Sequence, residues 1–172
     1  KPADLVEHHR GWAAGRNLWA SPNEKLNVGC IGAGGRGSAS VEGVKRENIV
    51  ALCDVDARTL ERVGANYPNA RRYADYRKML EEEKSLQAVT IGTPDHSHAP
   101  AAAMAIRLGR HVYCEKPLTH SVYEARVLTE LAVRHKVVTQ MGNQGHSNEN
   151  RRRLVEILQA GVIGNVTEVH AW

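Results

Sequence analysis

KLNVGCIGAGGRG, running from Lys25 to Gly37, decides how the rest of the chain is read. Leu26, Val28, Cys30 and Ile31 make a short apolar run with the length and flanks of a buried strand. The run breaks directly into Gly32-x-Gly34-x-x-Gly37, and the following SASVEGVKR can open a helix. Glycine alone can take the tight turn, let backbone approach a ligand closely, and pack the helix against the strand. A helix start also presents unpaired N–H groups, which suit a phosphate.

The spacing of the glycines is common, and the next segment is what raises its meaning. ENIVALCDVD reads as a second buried strand ending in Asp54, seventeen residues after Gly37. An acid there can accept hydrogen bonds from both ribose hydroxyls of an adenosine. A structural turn followed by a solvated acid is the plainer alternative. Strand, glycines, helix, strand and acid in this order favour a dinucleotide site instead.

From Lys25 onward the chain alternates strand and helix, the pattern of a parallel sheet covered by helices. The spacing predicts helices near Ala57–Asn66, from an Asp75 N-cap through Glu83, and over about Ala99–Leu108. Ser121-x-x-Glu124 is a capping box for a helix to about His135, with Val122, Ala125, Leu128 and Ala132 on one face. The intervening strands are residues 71–73, QAVTIG, RHVYCE and KVVTQM. Right-handed crossovers then give a doubly wound α/β sheet in the order 3-2-1-4-5-6, the Rossmann arrangement. We assign residues 25–145 to it.

Residues 1–24 read as an irregular arm whose Trp12 and Trp19 need apolar cover on the domain or on a partner subunit. Within it, His8 and His9 read as surface residues. At the other end, a helix from about Asn148 to Ala160 closes at Gly161, and NVTEVHAW has the β-branched content of a strand start. A lone terminal strand needs a sheet, so residues 146–172 read as a connecting helix and first strand of a substrate domain continuing beyond Trp172.

Composition narrows the function classes. The chain has 172 residues, enough for one real core, and that core must use Val, Leu, Ile and Ala because Phe is absent. The net charge of +4 is modest, and its Arg151–Arg153 cluster reads as a solvated helix start, so nucleic acid is not expected. Apolar runs fall short of the roughly 18 residues a membrane helix needs. Cys30, Cys53 and Cys114 lack metal spacing and read as buried reduced thiols. The chain begins with Lys1, leaving two compartments open: cytoplasmic, or periplasmic if an export signal precedes it.

Ligands of such sheets sit beyond the carboxyl ends of the strands, where three loops converge. They are Gly92-Thr93-Pro94-Asp95-His96-Ser97-His98, Glu115-Lys116-Pro117, and Gly142-Asn143-Gln144-Gly145-His146. His96 and His98 have no third partner at ligand spacing, so no metal is expected. Lys116, between Glu115 and Pro117 directly after a strand, is expected to point into the cleft. Burial there would make its ammonium easier to deprotonate and useful in proton transfer.

GCIGAGGRG, TPDHSHAPAAAMAIRLGRHVYCEKPL and AGVIGNVTEV together resemble the glucose–fructose oxidoreductase / inositol dehydrogenase / MocA family over residues 25–172. The resemblance implies an NAD(P)-dependent oxidoreductase acting on a sugar or cyclitol carbinol, and a homo-oligomer at full length. It implies that Gly32, Gly34, Gly35, Arg36 and Gly37 hold the pyrophosphate and Asp54 the adenosine ribose. Thr93, Pro94 and His98 would line the cofactor, Glu115 and Lys116 would reach the nicotinamide, and Asn143 would lie nearby. Lys116 is the implied catalytic residue, and a cis Lys116–Pro117 bond is implied too. Asp54 favours NAD, while Arg58 leaves NADP open. Relatives that cleave glycosides with bound NAD, or that only bind the dinucleotide, remain alternatives within the same fold.

Overall fold

The structure, a computed structural model, describes residues 25–170. The expected arm, with Trp12, Trp19, His8 and His9, lies outside the described residues, as does Trp172. The first unit, which runs to Met141, contains an alternating series. Its strands are β1 (Asn27–Ile31), β2 (Asn48–Cys53), β3 (Arg71–Tyr73), β4 (Ala88–Ile91), β5 (His111–Glu115) and β6 (Thr139–Gly142). Between them come α1 (Gly37–Gly43), α2 (Ala57–Gly64), α3 (Tyr76–Glu82), α4 (His98–Arg107) and α5 (Val122–His135). The sheet order is β3-β2-β1-β4-β5-β6, as the sequence predicts.

The strands are apolar on both faces because helices cover both. Successive side chains alternate sides, so Val28 and Cys30 pack with Leu52, Val41 and Leu60 on one face. Ile31 joins Cys53, Ile91, Met79, Leu80 and Ile106 on the other. Helix starts follow the side chains expected of them. Asp75 accepts from Arg77 N at 2.9 Å, and Ser121 and Glu124 complete a reciprocal capping box. Gly109, at φ +74°, closes α4 in a left-handed conformation.

Three expectations are corrected. Val122 is exposed, and Leu131 joins Leu128 and Ala132 in the buried stripe. Six residues turn a helix through about 600°, which sets Val122 about 120° away from Leu128. The sixth strand starts at Thr139 rather than Lys136, Val137 being spent on the core instead. Finally, residues 165–170 form no strand. β-Branched content makes a strand only where a neighbour completes the ladder, and none does among the described residues.

The second unit begins at Gly142, a few residues earlier than the predicted boundary. It holds α6 (Gln144–Ser147) and α7 (Glu149–Gln159), the latter capped by Asn148, which accepts from Asn150 N at 2.8 Å. Arg151–Arg153 lie exposed in α7. Among the described residues no helix is long and apolar enough to cross a membrane, and no cluster of His, Cys, Asp and Glu is arranged for a metal.

All three cysteines are buried and free. Burial pushes the Cys30 thiol up to about 11 and those of Cys53 and Cys114 up to about 12, from an ordinary 9.0. Raised values mean that the fold favours the protonated thiols. Their contribution to stability is therefore complete below about pH 9 and lost as the pH climbs through 11–12. The native protein is expected to resist an aromatic disulfide reagent at about pH 8.5, with three thiols reacting only after denaturation. Prompt reaction of the native thiols would contradict this burial.

Candidate functional site

Three glycines build the floor of the site. Gly32 follows β1 at φ +79°, and a Cβ there would lie 2.7 Å from the Gly92 carbonyl carbon. A Cβ on Gly37 would sit 1.8 Å from the Gly32 oxygen, and one on Gly92 would sit 2.5 Å from Gly37 Cα. The end of β1, the start of α1 and the end of β4 therefore meet backbone to backbone. Gly92 N donates to Ile31 O, and Gly32 N to Cys53 O, both at 2.8 Å. Gly92 was visible only as the start of a loop. Its signal is position, a glycine ending the strand that must pass beside the turn.

Beyond this floor opens a cleft of about 690 Å³, walled by the glycine turn, Asp54–Val55, Asp75–Arg77 and Gly92–Pro94. That volume falls in the range of small-molecule and cofactor sites. Asp54 accepts from Gly34 N and from Asp56 N, each at 3.0 Å, which fixes its half-buried carboxylate at the mouth. The amides of Gly35 and Arg36 donate to no described residue. Buried in the opposite wall, the Thr93 hydroxyl has no hydrogen-bond partner among the described residues.

Some wall residues carried no sequence assignment. Thr59 packs against Gly34, and the Arg77 guanidinium lies 4.7 Å from the centre of the Tyr76 ring. Asp75 caps α3. The same cap places Tyr76 and Arg77 at a strand's carboxyl end, which is the signal that was present.

The Glu115-Lys116-Pro117 segment is tied down on both sides of its lysine. Glu115 is buried, accepting from Ser40 Oγ at 2.8 Å and pairing with Arg36 Nε at 3.4 Å. Pro117, joined to Lys116 by a cis peptide as the resemblance implies, presents its carbonyl 2.6 Å from His98 Nδ1. His98 Nε2 lies 2.7 Å from the Thr93 carbonyl. His98 is thus a buried brace between two loops, and its ring nitrogens are taken by backbone rather than offered to the cleft.

Lys116 itself is exposed and is not part of the cleft wall, which corrects the expectation that it is buried. The residue stands past the last ladder position of β5, where no described residue covers it. Its ammonium has no hydrogen-bond or ion-pair partner among the described residues. Gly32, Gly34, Gly35, Asp54, Thr93 and Pro94 share the cleft. Gly37 lies beneath it in the floor, Arg36 and Glu115 adjoin the turn, and Asn143 belongs to the second unit.

Residues 26–143 match a family model described as an oxidoreductase family with an NAD-binding Rossmann fold. The chain belongs to the Gfo/Idh/MocA family. It is 31% identical over 153 residues to inositol 2-dehydrogenase 4 of Saccharopolyspora erythraea, covering 86% of this chain and 45% of that one. It therefore spans less than half the length of this relative. GenD2 from gentamicin A biosynthesis, solved in complex with NAD, is 28% identical at a TM-score of 0.65, covering 72% of this chain and 36% of that one. The fold also matches myo-inositol 2-dehydrogenase from Lactobacillus plantarum, at a TM-score of 0.74 and 24% identity over 83% of this chain and 43% of that one. NAD is the cofactor of this domain, and the residues fit it: bare backbone along the floor, an acid at one end, and an unpaired buried hydroxyl in the wall.

The glycine contacts differ sharply in what a methyl group would meet. Gly37→Ala drives Cβ into backbone and is expected to cost about 4 kcal/mol, near the upper end for one substitution. Gly35, at φ +48° with open space around it, should lose only about 1–2 kcal/mol as alanine. Urea unfolding of the two variants checks this, and equal costs would contradict the three-glycine contact.

Proposed function

We propose that the protein is an NAD-dependent oxidoreductase that moves a hydride between nicotinamide and a carbinol carbon of a cyclitol or sugar. The observation carrying this reading is one loop-lined cleft with Asp54 fixed in its wall, together with an anchored segment bearing Lys116, whose ammonium meets no partner among the described residues. NAD, when bound, supplies the hydride acceptor. Gly32, Gly34, Gly35 and Gly37 would let the diphosphate approach along bare backbone, with Arg36 beside them. An ionised carboxylate has about four acceptor sites, so Asp54 can serve two amides and still accept from ribose hydroxyls.

Preference for NAD over NADP follows from charge. A 2′-phosphate at Asp54 would face a carboxylate of like sign. The Arg58 side chain pairs with Asp56 at 3.2 Å, and its hydrogen bond helps hold the Asp56 carboxyl below the usual range. Arg58 is thereby engaged with Asp56, and Arg77 of the cleft wall pairs with Asp75 at 3.3 Å.

Thr93 and Pro94 would line the path toward the nicotinamide. Lys116 would hydrogen-bond the carbinol oxygen and orient it for hydride transfer. Glu115 would serve the same end through Arg36 and Ser40. The relatives named inositol 2-dehydrogenases support a cyclitol substrate. Residues from 146 onward would lead into a substrate-binding part, and the protein would assemble with copies of itself.

Titration with NAD⁺, NADH and NADPH tests the cofactor reading. Asp54→Ala should weaken NAD(H) about ten- to a hundredfold, the worth of one or two charge-assisted hydrogen bonds, and narrow the gap to NADPH. Unchanged NAD⁺ affinity would remove Asp54 from the site. For the reaction, Lys116→Ala should lower cyclitol-dependent NADH formation by about 10²–10⁴, the share of a positioned acid–base group. Release of product from an aryl glycoside without net NADH would point to the glycosidase alternative instead.

A further inference from the structure

The brace formed by His98 connects two loops that the proposed chemistry uses separately. Thr93 sits in the cleft wall after β4, and Pro117 directly follows Lys116 after β5. One buried imidazole, 1% exposed, spans their carbonyls at 2.7 and 2.6 Å. A carbonyl only accepts, so each loop is held through a proton carried by the ring nitrogen that faces it. On the far side of Lys116, the Glu115 carboxylate grips Ser40 and Arg36 of the glycine turn. The lysine backbone is therefore held from both flanks, although its ammonium is exposed.

We propose that His98 is a positioning residue for Lys116: by tying the Pro117 carbonyl to the Thr93 carbonyl, it sets where the ammonium stands relative to the nicotinamide half of the cofactor, without touching the cofactor. The two contacts of this one ring join the loops beyond the ends of their strands. Their separation is a side-chain matter, because β4 and β5 pair only as far as Ile91 and Cys114. Beyond that point the loops are free of the ladder, and the imidazole replaces it.

This assignment rests on the placement of Lys116 at the nicotinamide end, and the test separates the two ideas. The chain is titrated with NAD⁺ and with ADP-ribose, which keeps the adenosine and both phosphates but lacks the nicotinamide. Acylation of Lys116 is followed by mass spectrometry during each titration. In the wild type, NAD⁺ shields Lys116 and ADP-ribose does not. In His98→Phe, which keeps a ring but loses both nitrogens, ADP-ribose affinity should stay within about twofold. The shielding of Lys116 by NAD⁺ should fall about tenfold, since an error of order 1 Å in placement costs that much or more. His98→Gln, with an amide donor for one carbonyl, should recover part of the shielding.

Undiminished shielding in His98→Phe overturns the proposal. So does a parallel loss of ADP-ribose binding, which would mark a general structural role. Should both variants fail to fold, the wild-type protein decides by NMR. The His98 ring signals must shift with NAD⁺ and not with ADP-ribose, and equal shifts or none overturn the proposal. A wild-type chain that binds ADP-ribose but leaves Lys116 unshielded by NAD⁺ refutes the placement of Lys116 and the brace's role together. One that binds neither ligand refutes the dinucleotide reading itself.

Discussion

The structure depends on a contact that contains no side chain. Gly32, Gly37 and Gly92 bring the end of β1, the start of α1 and the end of β4 to within backbone distance of one another. A methyl group on any of the three would overlap main-chain atoms, which have no rotamer to yield. At the same level, Gly32 N reaches β2 and Gly92 N reaches β1. β1 is thereby pinned between its two neighbours at the point where the strand order reverses. The cleft exists because α1 leaves the sheet here at such close range, and side chains on these positions would crowd the backbone that floors it.

A second constraint is electrostatic. Glu115 places a carboxylate in a nearly water-free position, at 3% exposure, a costly choice for an acid without partners. Ser40 and Arg36 offset that cost. The Arg36 side chain is itself 56% exposed, so the pair is screened by water on one side and should be read as a fastening more than as a source of stability. Its geometric effect is larger. It links β5 to the glycine turn across α1, so the segment bearing Lys116 is fastened to that turn.

Much of this was legible in order of residues, for reasons that differ along the chain. The six strands and their order followed from apolar runs alternating with helical periods, because buried parallel strands are apolar on both faces. Asp75, Ser121 and Gly109 were readable because caps are local chemistry, settled within four residues. Long-range roles were not readable in the same way. Gly92 owes its role to Gly37, fifty-five positions earlier. His98 looks like a cofactor residue in a motif, yet its nitrogens face two carbonyls that only the fold brings together. Over NVTEVHAW, residues 165–170 form no strand, since propensity describes a residue's fitness for a ladder and a ladder needs a second strand.

The exposure of Lys116 sharpens this distinction between local and assembled properties. A surface lysine of the ordinary kind swings on a backbone that is itself free to adjust, and its ammonium samples a wide volume of water. Here the stem is fixed by Glu115 on one side and by Pro117, through His98, on the other. Only the aliphatic chain remains free, so the range of the ammonium is set by a backbone held on both flanks. An acid–base group needs a defined place before it needs a shifted proton affinity, because proton transfer requires hydrogen-bond reach. For the role proposed for Lys116, the two flanking anchors supply that defined place within residues 25–141.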